Sequence, residues 1–140
     1  MVVATIKGML KILIIDDEKF LIENLASYVK KKVSADIDLV TCANEALLLF
    51  ENGNYDLVIC DLNISDLSEG ALLLSINRIK PGQPLFVISA KALPEEIASN
   101  KDLRILEYFE KPFDASEIAK KIESINYEKS HIVSQMESKG

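Results

Sequence analysis

The chain has 140 residues, 49% apolar and 27% charged, the balance of one globular domain able to bury a core without disulfide staples. Sixteen basic against 22 acidic residues give a net charge of −6, and the largest basic run is Lys30 to Lys32, which argues against direct nucleic-acid binding. No apolar run approaches the ~20 residues of a bilayer-spanning helix, and the opening MVVATIKGML lacks the pattern of a cleaved leader.

In chain order, residues 1–8 read as an N-terminal extension, with Met9 an alternative start, and KILII (11–15) as a first strand. Leu21, Leu25, Tyr28 and Val29 then recur at helical spacing. DIDLVTC (36–42) is a second strand, followed by a helix carrying Ala46, Leu47 and Phe50. YDLVIC (55–60) is a third, followed by Leu72, Leu73 and Ile76 on one helical face. PLFVIS (84–89) is a fourth, before a segment anchored weakly by Ile97, and RILEYF (104–109) is a fifth. The last helix is the clearest, with Asp114 and Glu117 as a capping box and Ile118, Ile122 and Ile125 as its stripe. Folded sequence ends near 127, leaving a polar tail over 128–140.

Short apolar strands alternating with amphipathic helices predict an α/β fold, a doubly wound parallel sheet with helices on both faces. Cys42 and Cys60 have no C-x-x-C spacing and no cluster with the lone His131, so two buried free thiols and a cytoplasmic location are expected.

In a parallel sheet the residues just past each strand line one edge, where ligands of such folds bind. Here those residues are Asp16, Asp17 and Glu18, then Asp61, Ser89 and Lys111. If the first and third strands are neighbours, Asp17 and Asp61 approach closely, and two carboxylates at ~4 Å repel by roughly 4 kcal/mol at an effective dielectric near 20. A lysine offsets part of this, and a hard divalent cation such as Mg²⁺ suits the remaining oxygens. Metal, lysine and hydroxyl together equip a site for phosphoryl transfer, with Asp61 as the nucleophile that forms an acyl phosphate. Singly, each residue has a plainer reading: Asp16 and Asp17 as helix N-caps, Asp61 as a turn acid, Ser89 as a strand-end hydroxyl, Lys111 as a solvated lysine. Jointly, four polar types at four strand ends favour the site.

The segments ILIIDDE (12–18), LVICDLN (57–63), LFVISAKA (85–92) and YFEKPF (108–113) resemble a response-regulator receiver domain of two-component signalling. Spacing agrees: Asp17 and Asp61 stand 44 residues apart, Ser89 and Lys111 22 apart. The resemblance implies a flavodoxin-like sheet of order 2-1-3-4-5 with five helices, a receiver domain over 9–127, and phosphorylation of Asp61 by a histidine kinase or phosphotransfer protein. It implies Mg²⁺ on Asp17, Asp61 and the Asn63 carbonyl, with Asp16 acting through a bound water. Ser89 and Tyr108 are the implied switch pair, and Lys111 precedes a cis Pro112.

Three departures from the family pattern stand out. Ser65 replaces the usual proline, and Gly70 falls one residue late, so a longer and more mobile loop is expected over 62–70. The stretch 94–109 lacks the usual Gly-Ala turn and puts the fourth helix in doubt. Serine at 89 replaces the commoner threonine.

Only 29 residues follow Lys111, which leads to the expectation of a stand-alone receiver, a monomer or weak dimer with neither DNA nor membrane binding. Its output would be contact with a downstream protein through Tyr108, the 92–102 segment and the final helix around Lys120 and Lys121. Two other classes compete. A haloacid-dehalogenase-type phosphatase wants Asp-x-Asp at the first strand, where this chain has DDE, and a pseudo-receiver would not keep the acidic site.

Overall fold

The computed structural model describes residues 9–125. Its strands are β1 (Leu10–Ile15), β2 (Ala35–Val40), β3 (Leu57–Asp61), β4 (Pro84–Ser89) and β5 (Arg104–Glu110). Its helices are α1 (Lys19–Lys32), α2 (Ala43–Asn52), α3 (Ala71–Ile79), α4 (Glu95–Ala98) and α5 (115–125). All strands pair in parallel in the order β2-β1-β3-β4-β5, the expected flavodoxin-like arrangement.

Alternate residues of the three central strands feed two cores, because successive strand side chains point to opposite faces. Leu13, Ile15, Val58, Cys60, Leu85 and Val87 pack under α2, α3 and α4 with Phe50, Leu73 and Ile97. Ile12, Ile14, Leu57, Ile59, Phe86 and Ile88 pack under α1 and α5 with Leu25, Val29, Ile118 and Ile122. Full burial of each such side chain stabilises the fold by ~1.5–3 kcal/mol, so the central strands are its most firmly held part.

Boundaries shift for local reasons. β2 ends at Val40 instead of Cys42, because Cys42 occupies the N-cap position of α2, where it is half-buried rather than fully buried. The α1 face that packs inward is Ile22, Leu25, Ala26 and Val29, leaving Leu21 and Tyr28 at its margin. Asp114 caps α5 through Ser116, whose N–H donates to Asp114 Oδ1 at 2.9 Å and whose hydroxyl does so at 2.7 Å. These bonds hold the Asp114 carboxyl below its usual range. Between Leu85 and Phe86 the β4–β5 register slips by one residue, so Leu106 is the extra residue of a bulge. Such a slip reverses the faces of the residues that follow, and Phe109 lands in the core with its ring 5.4 Å from that of Phe86.

The doubtful fourth helix is one turn long, held by the buried Ile97. Ile97 rests on Gly70, which heads α3 at φ 78°, and a Cβ there would lie 2.7 Å from Ile97 Cδ1. The left-handed backbone favours glycine at this position, and an added Cβ would push the Ile97 side chain aside. The 62–70 loop is pinned by the buried Leu62 and Ile64 and by the Gly70 N–H bonded to the Leu62 carbonyl at 3.2 Å. Asp66 reaches across to α2, where both its oxygens accept from the Ala43 N–H at 3.0 and 3.2 Å. Cys42 supplies no side-chain cap, so this loop acid satisfies the helix start in its place.

Candidate functional site

Register sets the site. Ile15 lies opposite Cys60 and Asp61 opposite Ile88, so Asp16 and Asp17 leave β1 beside the end of β3. One carboxylate oxygen from each of Asp16, Asp17 and Asp61 lies within 4.8 Å of the others. Asp16 and Asp61 are buried and Asp17 is exposed, so the cluster opens to solvent on one side.

Lys111 answers these charges. It follows β5, its backbone N–H donates to the Ser89 carbonyl at 2.8 Å, and the Lys111–Pro112 bond is cis. Its ammonium Nζ lies 2.6 Å from Glu18 Oε2, 2.9 Å from Asp16 Oδ2 and 3.2 Å from Asp61 Oδ2. Burial alone would lower the lysine pKa, but hydrogen bonds to Glu18 and Asp16 and the charges of Asp16 and Asp61 outweigh it and hold the ammonium well above its ordinary value. The Asp16 carboxyl is pushed up, chiefly by burial, against the opposing Glu18 N–H and Lys111 bonds.

Asp61 is held in one orientation, with Oδ1 accepting from the Asn63 N–H at 3.1 Å and Oδ2 facing Lys111. Asp16 Oδ1 accepts from the Glu18 N–H at 2.8 Å, and its buried Oδ2 is met by the Lys111 ammonium at 2.9 Å. Three hard carboxylate oxygens gathered within 4.8 Å of one another, from Asp16, Asp17 and Asp61, fit a small divalent cation of the Mg²⁺ type.

Ser89 is fully buried, and its Oγ accepts from the Lys91 N–H at 3.1 Å. The half-buried Tyr108 donates its hydroxyl to the Lys91 carbonyl. The expected switch residues therefore meet through the backbone of Lys91. Cys60 lies inside the core, where burial pushes its thiol far up, so it is an inert neighbour of Asp61.

Asp16, Asp17, Asp61 and Lys111 converge as expected from the sequence, with Ser89 and Asn63 at the same edge. The ammonium contact of Glu18, the Lys91 bridge and the Asp66 cap were not expected. Only Glu18 carried a signal, as a third acid directly after Asp16 and Asp17.

Comparison with known proteins agrees with this geometry. The chain is 31% identical over 117 residues to the transcriptional regulatory protein PmrA of Pectobacterium parmentieri, and 28% identical over 116 residues to BasR of Escherichia coli. Each alignment covers 83% of this chain and 52% of the relative, so the chain spans about half the length of the curated relatives it matches. Among solved structures, a CheY-like receiver domain from Methanospirillum hungatei superposes with TM-score 0.76 at 22% identity, covering 89% of this chain and 98% of that one. A Clostridium thermocellum receiver domain gives 0.72 at 24% identity, covering 89% and 99%. At these identities the superpositions speak for the fold. The sequence pattern of the response regulator receiver domain matches residues 12–123, most of the chain, and with the acidic edge built around Asp61 this places the protein in the response regulator receiver domain family.

Proposed function

We propose that Asp61 is the phospho-acceptor of a two-component phosphorelay, loaded by a histidine kinase or phosphotransfer protein in a Mg²⁺-dependent reaction. The phosphorylated domain then signals by contact with an output protein. The observation that carries this reading is the Asp61 carboxylate, fixed by Asn63 through one oxygen and presenting the other toward Lys111 beside Asp16 and Asp17.

Asp61 Oδ2 attacks phosphorus in line with the leaving group, which departs with its bonding electron pair. Lys111 shifts its ion pair to a phosphoryl oxygen, and Ser89, on giving up the Lys91 N–H, turns its hydroxyl to another. Asp17, Asp61 and the Asn63 carbonyl would hold Mg²⁺, with Asp16 acting through water; when bound, the cation neutralises charge on the phosphoryl oxygens. Ser89 and Tyr108 form the switch, and its output surface comprises Tyr108, the 92–102 segment and α5 around Lys120 and Lys121. The protein acts on itself and turns over no separate substrate, in the cytoplasm, as a monomer or weak dimer. Among the described residues no helix is long and apolar enough to cross a membrane.

Incubation with Mg²⁺ and acetyl phosphate, followed by intact-mass measurement, tests the reading. One phosphoryl group is expected on wild type and none on Asp61→Asn. Label persisting in that variant overturns the assignment, and steady hydrolysis of p-nitrophenyl phosphate points to a phosphatase instead.

A further inference from the structure

Lys111 is shared by three carboxylates, and its shortest contact, 2.6 Å, goes to the most exposed of them: the Glu18 side chain is 60% exposed, against 1% for Asp16 and 6% for Asp61. An exposed ion pair is usually loose, but this one is aimed from both ends. The Glu18 backbone N–H is tied to Asp16 Oδ1 at 2.8 Å, and the Lys111 N–H is tied to Ser89. Glu18 therefore stands at the mouth of the site, at the head of α1, on the solvent side of the ammonium.

The position matters because Asp61 Oδ2, the oxygen facing the lysine, is the one free of backbone bonds. When it bonds to phosphorus, the ammonium must move outward to reach a phosphoryl oxygen. Glu18 occupies that outward side and competes with the phosphoryl oxygen for the same ammonium. Glu18 also adds a fourth negative charge at the mouth, which opposes both an anionic donor and the added charge of the aspartyl phosphate. Competition for the lysine and direct repulsion act in the same direction.

We propose that Glu18 is a built-in brake on phosphoryl transfer to Asp61, a competing counter-ion that must release Lys111 as the phosphoryl group arrives. The inference rests on the phospho-acceptor reading of Asp61. With acetyl phosphate the Asp61 Oδ2–P bond forms as the bond from phosphorus to the acetyl oxygen breaks, and acetate leaves with the electron pair. No proton moves, and Lys111 exchanges Glu18 Oε2 for a phosphoryl oxygen.

The test compares wild type, Glu18→Gln and Glu18→Asp at Mg²⁺ concentrations shown to saturate each, following phosphate uptake by intact mass. Glu18→Gln is expected to take up phosphate from acetyl phosphate about fivefold faster at low salt, as one screened unit charge beside a dianion implies. The gain should shrink below about twofold near 0.5 M salt, where screening is nearly complete, and should be smaller with the less charged donor phosphoramidate. Glu18→Asp keeps the charge and should stay nearer wild type than Glu18→Gln does. Equal rates for wild type and Glu18→Gln at low salt, or a gain indifferent to salt and donor charge, overturn the brake alone. Wild type that takes up no phosphate overturns the phospho-acceptor reading and the brake with it.

Discussion

Ser89 and Tyr108 hold the two polar ends of one residue: the serine Oγ accepts the Lys91 N–H at 3.1 Å and the tyrosine hydroxyl donates to the Lys91 carbonyl. A serine drawn to a phosphoryl group must drop its half of this bridge, which frees the segment that Tyr108 also holds. Such a paired contact is a two-state element whose balance a partner can read.

Hydrogen exchange with and without beryllofluoride and Mg²⁺ should therefore change most over residues 89–111. Tyr108→Phe should raise exchange at 91–93 in the free protein, lose about 0.5–1.5 kcal/mol of stability, and leave phosphate uptake within about twofold, since the ring touches no reacting atom. A change confined to 62–70 would move the signal to that loop.

If the proposed Mg²⁺ site is right, replacing Asp17 should abolish metal binding while leaving Asp61 in place. For Asp17→Ala we expect a Mg²⁺ titration followed by amide NMR to show no saturable shifts near residues 17 and 61, where wild type saturates. Unchanged affinity would place the metal elsewhere.

Asp16 offers a test by pH. Burial raises its folded pKa above the unfolded value, so the folded state binds the proton more tightly. Its ionised form thus weakens the metal-free fold at neutral pH, and this penalty is relieved as pH falls from neutral through the raised folded pKa toward the unfolded one. Asp16→Asn, which keeps an acceptor for the Glu18 N–H, should have a higher urea midpoint than wild type at pH 7 without Mg²⁺. The difference should shrink steadily as the pH falls toward about 4. A lower midpoint at pH 7 would show that the Lys111 ion pair outweighs the cost of burial.

Gly70→Ala must meet both a left-handed backbone and the Ile97 side chain. A loss of about 1–3 kcal/mol is expected in urea unfolding, with the largest local change in exchange over α4, whose buried anchor Ile97 is displaced. A loss below about 0.5 kcal/mol would mean that the loop relaxes freely.

Periodicity made the parallel sheet legible, because each central strand is a short apolar run and each long helix shows a 3.6-residue stripe, whereas the strand order followed from the family resemblance. The acids, the serine and the lysine were legible because a parallel sheet turns strand ends into neighbours. The α1 face was misplaced by about one residue because Ala26, too small to mark a stripe, packs inward while Tyr28 lies at the margin. Asp114 was recognised as a cap, but Ser116 bonds to its carboxylate, and no pattern favours one polar neighbour over another. Glu18, Lys91 and Asp66 act through contacts that depend on the path of a loop, which hydrophobic spacing does not encode.

The borrowed cap on α2 makes the Ala43 amide a sentinel. Its proton is bonded to a carboxylate carried by the loop that follows Asp61, so its resonance frequency responds to where that loop sits as well as to the helix itself. A single backbone signal, resolved in an ordinary correlation spectrum and needing no attached dye, would report loop movement in real time while phosphate is added and lost.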